Sequence, residues 1–113
     1  MIKIYHNPRC SKSRQGLAIL EEKKVAVEVI KYLDNPPSRE ELIAILGKLA
    51  IKPIQLIRKG EAIWKENYKG KDLTDTQIID AMLANPKLIE RPIIISGDKA
   101  VIGRPPEEIM KLF

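Results

Sequence analysis

The chain has 113 residues, 44% of them hydrophobic and 31% charged, with a formal net charge of +5. At about 100 to 150 residues per domain, this predicts one compact soluble domain over residues 1–113 and excludes long disorder as its main character. Its longest Ile/Leu/Val runs, such as Ile93-Ile94-Ile95, fall far short of the roughly 18 residues that span a bilayer, so no membrane partner is expected.

Met1-Ile2-Lys3-Ile4-Tyr5-His6 lacks the basic, apolar and small-residue order of a secretory signal, which makes the cytoplasm the expected location. One cysteine, Cys10, and one histidine, His6, exclude an intrachain disulfide and an ordinary zinc constellation. No bound metal or cofactor is expected. The basic balance suits a polyanion or a small oxyanion. The second is favoured, because Tyr5, Tyr32, Trp64, Tyr68 and Phe113 are scattered and offer no stacking platform for nucleic acid.

In chain order, Ile2 to Tyr5 alternate at period 2 and end at Asn7-Pro8, a short strand and a turn. A helix begins near Cys10 to Ser13, carries Leu17 and Leu20 on one face and fades in Glu21-Glu22-Lys23-Lys24. Val25 to Ile30 is rich in β-branched residues and reads as the next strand, completing a βαβ unit whose strands must be parallel. Asp34-Asn35-Pro36-Pro37 breaks the chain. Ser38 and Glu41 then form a capping-box pair ahead of Leu42, Ile45, Leu46 and Leu49, and Thr74 with Gln77 opens a second helix through Ile78, Ile79, Met82 and Leu83. The stretch 36–88 is expected to be a wholly helical insertion. Ile93-Ile94-Ile95-Ser96, Gly97-Asp98 and Lys99 to Ile102 read as a hairpin, and a closing helix follows Gly103-Arg104-Pro105-Pro106. The order β-α-β, helical insertion, β-β-α predicts an α/β thioredoxin-like fold with a mixed four-stranded sheet covered by helices.

His6-Asn7-Pro8-Arg9-Cys10-Ser11-Lys12-Ser13-Arg14 sets the only thiol where a strand meets a helix start. Unpaired amides and the positive end of the helix dipole favour a thiolate there, and would equally hold an oxyanion. Arg9, Lys12 and Arg14 add positive charge, and Ser13 sits one turn along, where its hydroxyl is expected to donate to the sulfur. A lone cysteine is most often a small buried hydrophobe. This one sits in a segment with no apolar residue but Pro8, which suits an anion-binding loop better than a core. His6 can close the strand with a structural hydrogen bond or support the thiol from behind.

The stretch Tyr5 to Arg14, with Pro36 to Leu42, Leu56-Ile57-Arg58-Lys59, Asn85 to Ile93 and Gly103-Arg104-Pro105-Pro106-Glu107, resembles the glutaredoxin-coupled arsenate reductase (ArsC) family across nearly the whole chain. The resemblance implies a thioredoxin-like domain with a helical insertion, Cys10 as nucleophile, and Arg58, Arg91 and Arg104 as the oxyanion-binding set; the segment's own residues place His6, Ser13 and Arg14 around the thiolate. It implies arsenate as substrate, glutathione as co-substrate and a glutaredoxin as protein partner, the thiolate forming an arsenic(V) adduct that the external thiols reduce to arsenite. Guanidinium forks suit a tetrahedral oxyanion, and Arg91 and Arg104 each precede a proline at a strand edge. Arg91-Pro92 falls where thioredoxin-like folds carry a cis proline. Ser11-Lys12 follows the thiol where plasmid-type arsenate reductases have Gly-Thr, which bears on substrate preference.

Without a second cysteine, no internal disulfide can resolve an adduct on Cys10, so an external thiol must supply the electrons. Two other readings share the fold. An Spx-type regulator contacts RNA polymerase and generally carries Cys-x-x-Cys, where this chain has Ser13 at the fourth position; a general glutathione-linked thiol oxidoreductase would use the same thiol.

Overall fold

Ile2–His6 is extended in the computed structural model, which describes residues 1–113, and forms strand β1. Helix α1 (Ser11–Glu22) follows, then strand β2 (Val27–Lys31), with β3 (Ile93–Ser96) and β4 (Lys99–Ile102) late in the chain. The sheet order is β2-β1-β3-β4, with β1 parallel to β2 and antiparallel to β3, and β3 antiparallel to β4. The mixed four-stranded sheet is therefore as the residue pattern predicts. Ile4 stands at its centre, opposite Val29 on one side and Ile94 on the other.

The chain forms two compact units, one of Met1–Asn35 with Arg91–Phe113 and one of Pro36–Glu90. In the sheet unit, Ile2 and Ile4 of β1, Leu20 of α1, Ile94 of β3 and Ile109 form the core, with Leu17, Val27 and Val101 packed against it. Alternation along β1 puts Ile2 and Ile4 on this face, and the amphipathic face of α1 covers it. Lys24 adopts a positive φ of 55° after α1, so Val25 and Ala26 make the connection and β2 starts two residues later than expected. Gly97 takes a positive φ of 63° as first central residue of the β3–β4 hairpin, the position where such turns favour glycine. The closing segment Pro106–Leu112 is a 3-10 helix rather than an α-helix. A seven-residue run that starts on a proline satisfies its end groups through the tighter i→i+3 pattern, as Glu108 N–H to Pro105 O shows.

The helical unit contains α2 (Arg39–Leu49), α3 (Ala62–Asn67) and α4 (Asp75–Ala84). Ser38 and Glu41 close a capping box on α2, and Thr74 with Gln77 closes one on α4, both at the positions the sequence marks. This unit is not helical throughout. Two 3-10 turns, Pro53–Leu56 and Pro86–Leu88, each begin on proline and each release an isoleucine into extended conformation, and Ile57 and Ile89 then pair in an antiparallel bridge. Flanking bonds run from Arg58 N–H to Leu88 O (2.7 Å) and from Glu90 N–H to Leu56 O (2.8 Å). One β-branched residue on each side carries no period-2 pattern, which is why the bridge is invisible in sequence.

Candidate active site at the thiol

β1 ends at His6, and α1 begins at Ser11 with Cys10 as its capping residue in extended conformation (φ −96°, ψ 123°). A side-chain acceptor at this position normally meets the N–H groups two and three residues on; here the side chain is a thiol and those amides belong to Lys12 and Ser13. The capping hydrogen bond is not closed, yet both amides act on the sulfur and favour its anion. No acidic residue occupies the first turn of α1, so nothing competes for the positive end of the helix dipole.

Two guanidinium groups complete the surroundings. The Arg91 guanidinium acts on the Cys10 sulfur and favours its anion, and Arg104 Nη1 stands 3.9 Å from Cys10 Sγ. Partial burial pushes the thiol up, while the Ser13 amide, the Arg91 guanidinium and the Lys12 amide pull it down; the balance holds Cys10 below the ordinary cysteine value.

The loop behind the thiol is fastened by polar side chains. His6 Nδ1 pairs with Ser13 Oγ at 2.6 Å, and the same oxygen accepts from Asn7 N–H at 3.0 Å, all three residues being buried. Contrary to the expectation from sequence, the Ser13 hydroxyl is engaged with His6 and Asn7 rather than with the sulfur, and it is the Ser13 amide that acts on the sulfur. Asn7 Oδ1 accepts from Arg9 N–H (3.0 Å) and Asn7 O from Cys10 N–H (3.0 Å), so one asparagine shapes both turns before the thiol. Arg14 Nη1 donates to Pro8 O at 2.8 Å across the loop. Burial, then the charges of Lys31 and Arg14, lower the His6 pKa and keep the ring neutral near pH 7.

Pro92 sets the arginines. The Arg91-Pro92 peptide is cis, as the resemblance to thioredoxin-like folds leads one to expect, and Arg104-Pro105 is cis as well. The Pro92 ring is buried between two glycines: a Cβ on Gly103 would lie 2.9 Å from Pro92 Cγ, and one on Gly16 of α1 3.0 Å from the same atom. Gly103 N–H also donates to Pro92 O at 2.8 Å. The residue before Arg104 is therefore bonded to the residue after Arg91, which ties the spacing of the two guanidiniums together. Arg58 belongs to the helical unit, where it faces Glu61 (3.3 Å) and Glu90 (3.6 Å). Sequence reading did not single out Asn7, Gly16 or Gly103 for the site. Only Asn7-Pro8 carried a local signal, as a turn; the glycines matter through contacts distant in sequence.

Fold and site together define a thioredoxin-like α/β protein with one activated thiol at a helix start and guanidinium groups beside it. A profile of the ArsC family matches residues 5–112, and the chain belongs to that family. It is 44% identical to the arsenate reductase of Neisseria meningitidis serogroup A over 96% of this chain and 94% of that one. It is equally similar, 44% over 98% and 95% of the two chains, to the uncharacterized Escherichia coli protein YfgD. The arsenate reductase structure from Vibrio cholerae superposes with a TM-score of 0.94 at 43% identity, covering 99% of this chain and 97% of that one. No helix is long and apolar enough to cross a membrane.

Proposed function

We propose that the protein is an arsenate reductase in which the Cys10 thiolate attacks arsenate and external thiols complete the reduction. The observation that carries this reading is the convergence of Arg91 and Arg104 on the one thiol, at a helix start free of acidic residues. Arsenate is a tetrahedral monoanion or dianion near neutral pH, and two guanidiniums beside helix amides suit its charge and shape. Arg58 is the third oxyanion-binding arginine that the family resemblance implies.

In the first step Sγ of Cys10 forms a bond to arsenic(V), and an arsenate oxygen leaves as water after protonation. Glutathione adds a second thiol to the adduct. Reduction to arsenite needs two electrons, and these come from sulfur as two thiols become a disulfide. Cys10 is the only cysteine, so the second sulfur is external, and a glutaredoxin clears the mixed species. His6, Ser13 and Asn7 act on the shape of the loop, with His6 neutral and bonded to Ser13 rather than to the sulfur.

The test is arsenate-dependent NADPH oxidation with glutathione, glutathione reductase and glutaredoxin, set against thioredoxin with its reductase. Turnover is expected with the first system and falls to background in Cys10→Ser. Strong turnover with thioredoxin alone would overturn the electron donor, and none with either system would overturn arsenate as substrate.

A further inference from the structure

The helical unit carries a surface that the thiol chemistry does not use. An open cleft of about 590 Å³ lies among the 3-10 turn Pro53–Leu56, α3 and the loop leading into α4. Its floor is apolar, built on Trp64 and Ile78 with the half-buried Ile54 and Leu73 still partly open to solvent. Lys52, Lys59, Lys69 and Lys71 stand around it, against Asp72 and Asp75, which leaves an excess of positive charge at the mouth. All four lysines are exposed, and none forms an ion pair within the chain, whereas Lys111 pairs with Glu108 and Arg39 with Asp80. A concave apolar floor rimmed by unpaired ammonium groups attracts an anionic partner that also has apolar surface to bury.

The chemistry of the rim selects among such partners. A small oxyanion is held by rigid, converging donors such as arginine forks or free helix amides. Here the donors are flexible lysines, and Asp75 on the first turn of α4 opposes an anion at that helix end. A nucleobase needs an open aromatic face, but Trp64 is only 7% exposed and stacks on Tyr68 with ring centroids 5.6 Å apart. A polypeptide meets both features, since long lysines follow carboxylates on a mobile chain while an aliphatic side chain covers Ile54 and Leu73. We propose that this cleft docks an acidic segment of a partner protein, with its carboxylates on the four lysines and one apolar side chain on the floor. The proposal stands apart from the arsenate reading, because no residue of the thiol site takes part in it.

Trp64 is the only tryptophan of the chain and lies in the floor, so its emission reports occupancy directly. The probe is an acetylated, amidated hexapeptide with two leucines between two pairs of acidic residues. A saturable change in Trp64 emission is expected at low salt, with a Kd at or below about 1 mM. Lys69→Ala/Lys71→Ala, two exposed positions, should weaken it roughly tenfold, and so should about 0.3 M salt, through loss and screening of charge. The absence of any saturable change up to several times that concentration would overturn the proposal. So would an equal response to the same peptide with amides in place of the acids, or an unchanged response in the lysine variant. Tighter saturation by inorganic phosphate or adenosine monophosphate would make the cleft a small-anion site instead. Because arsenate is absent from this assay, its failure says nothing against the reductase reading, and failure of arsenate turnover says nothing against the cleft.

Discussion

His6, Asn7 and Ser13 are the buried polar side chains of the protein, and all three lie in the sheet unit within the turn and first helical residues around Cys10. In the helical unit the hydrogen-bonding side chains that organise the fold, Ser38, Glu41, Thr74 and Gln77, sit at exposed helix ends. The arginines differ by setting rather than by unit: Arg91 is half-buried beside the sulfur, Arg58 of the helical unit is half-buried against Glu61 and Glu90, and Arg39 forms a surface ion pair with Asp80. Burying a polar group is unfavourable unless its partner is fixed, so a protein concentrates such groups where fixed geometry is needed. Around Cys10 they hold a loop whose amides and guanidiniums must meet one sulfur; in the helical unit Ser38, Glu41, Thr74 and Gln77 have only to start helices.

The contrast breaks first at the arginines. Arg91→Lys keeps the charge and loses the fork, and the loss of a charge-assisted contact of about 1.5 to 3 kcal/mol should lower kcat/KM for arsenate roughly ten- to a hundredfold. Arg39→Lys, on an exposed pair, should change it by less than about twofold and stability by less than about 1 kcal/mol. Equal kinetics in the two variants would reduce Arg91 to a surface charge.

Gly103→Ala tests whether the arginine spacing depends on the close approach to Pro92. A new Cβ 2.9 Å from Pro92 Cγ and 3.2 Å from the Ile94 and Ile109 Cδ1 atoms should destabilise the sheet unit by about 1 to 3 kcal/mol and raise the pH midpoint of Cys10 alkylation. Ile109→Val, a loss of about 0.5 to 1.5 kcal/mol in the same core, should leave that midpoint in place. If both variants moved it alike, general loosening rather than the glycine contact would be responsible.

A smaller effect separates two serines. Ser13→Ala strips a partner from both His6 Nδ1 and Asn7 N–H in a buried setting and should cost about 1 to 3 kcal/mol in urea unfolding. Ser38→Ala, at an exposed cap, should cost about 1 kcal/mol and leave Cys10 reactivity unchanged.

The finest distinction is in pH. With its folded pKa held below the ordinary value, Cys10 should react with iodoacetamide with a midpoint under about 8.5. The sign for stability follows: the thiolate contribution is complete above about 8.5 and is lost as pH falls through the folded pKa, because the unfolded chain then holds the extra proton. His6, lowered by burial and by Lys31 and Arg14, adds stability above about 6.5 that is lost as pH falls below it. A Cys10→Ser profile identical to the parent between pH 7 and about 9 would remove the thiolate from this account.

Much of this architecture was legible in local signals. The period-2 run at Ile2–Tyr5, the capping pairs Ser38/Glu41 and Thr74/Gln77 and the Gly97-Asp98 turn each depend on residues within about four positions of one another, and each stands where the sequence marks it. The position of Cys10 at a helix start is of the same kind. Tertiary structure alone decided which partner each polar group meets: Arg104 and Cys10 are 94 positions apart, Ile57 pairs with Ile89, and Pro92 fits between Gly16 and Gly103. Ser13 shows the divide within one residue, since its place on α1 was readable while the engagement of its hydroxyl by His6 was not. Caps, turns and strand periods are selected by the chain's own short-range geometry, whereas contacts between distant residues exist only once the packed core closes the long loops between them and fixes which surfaces touch.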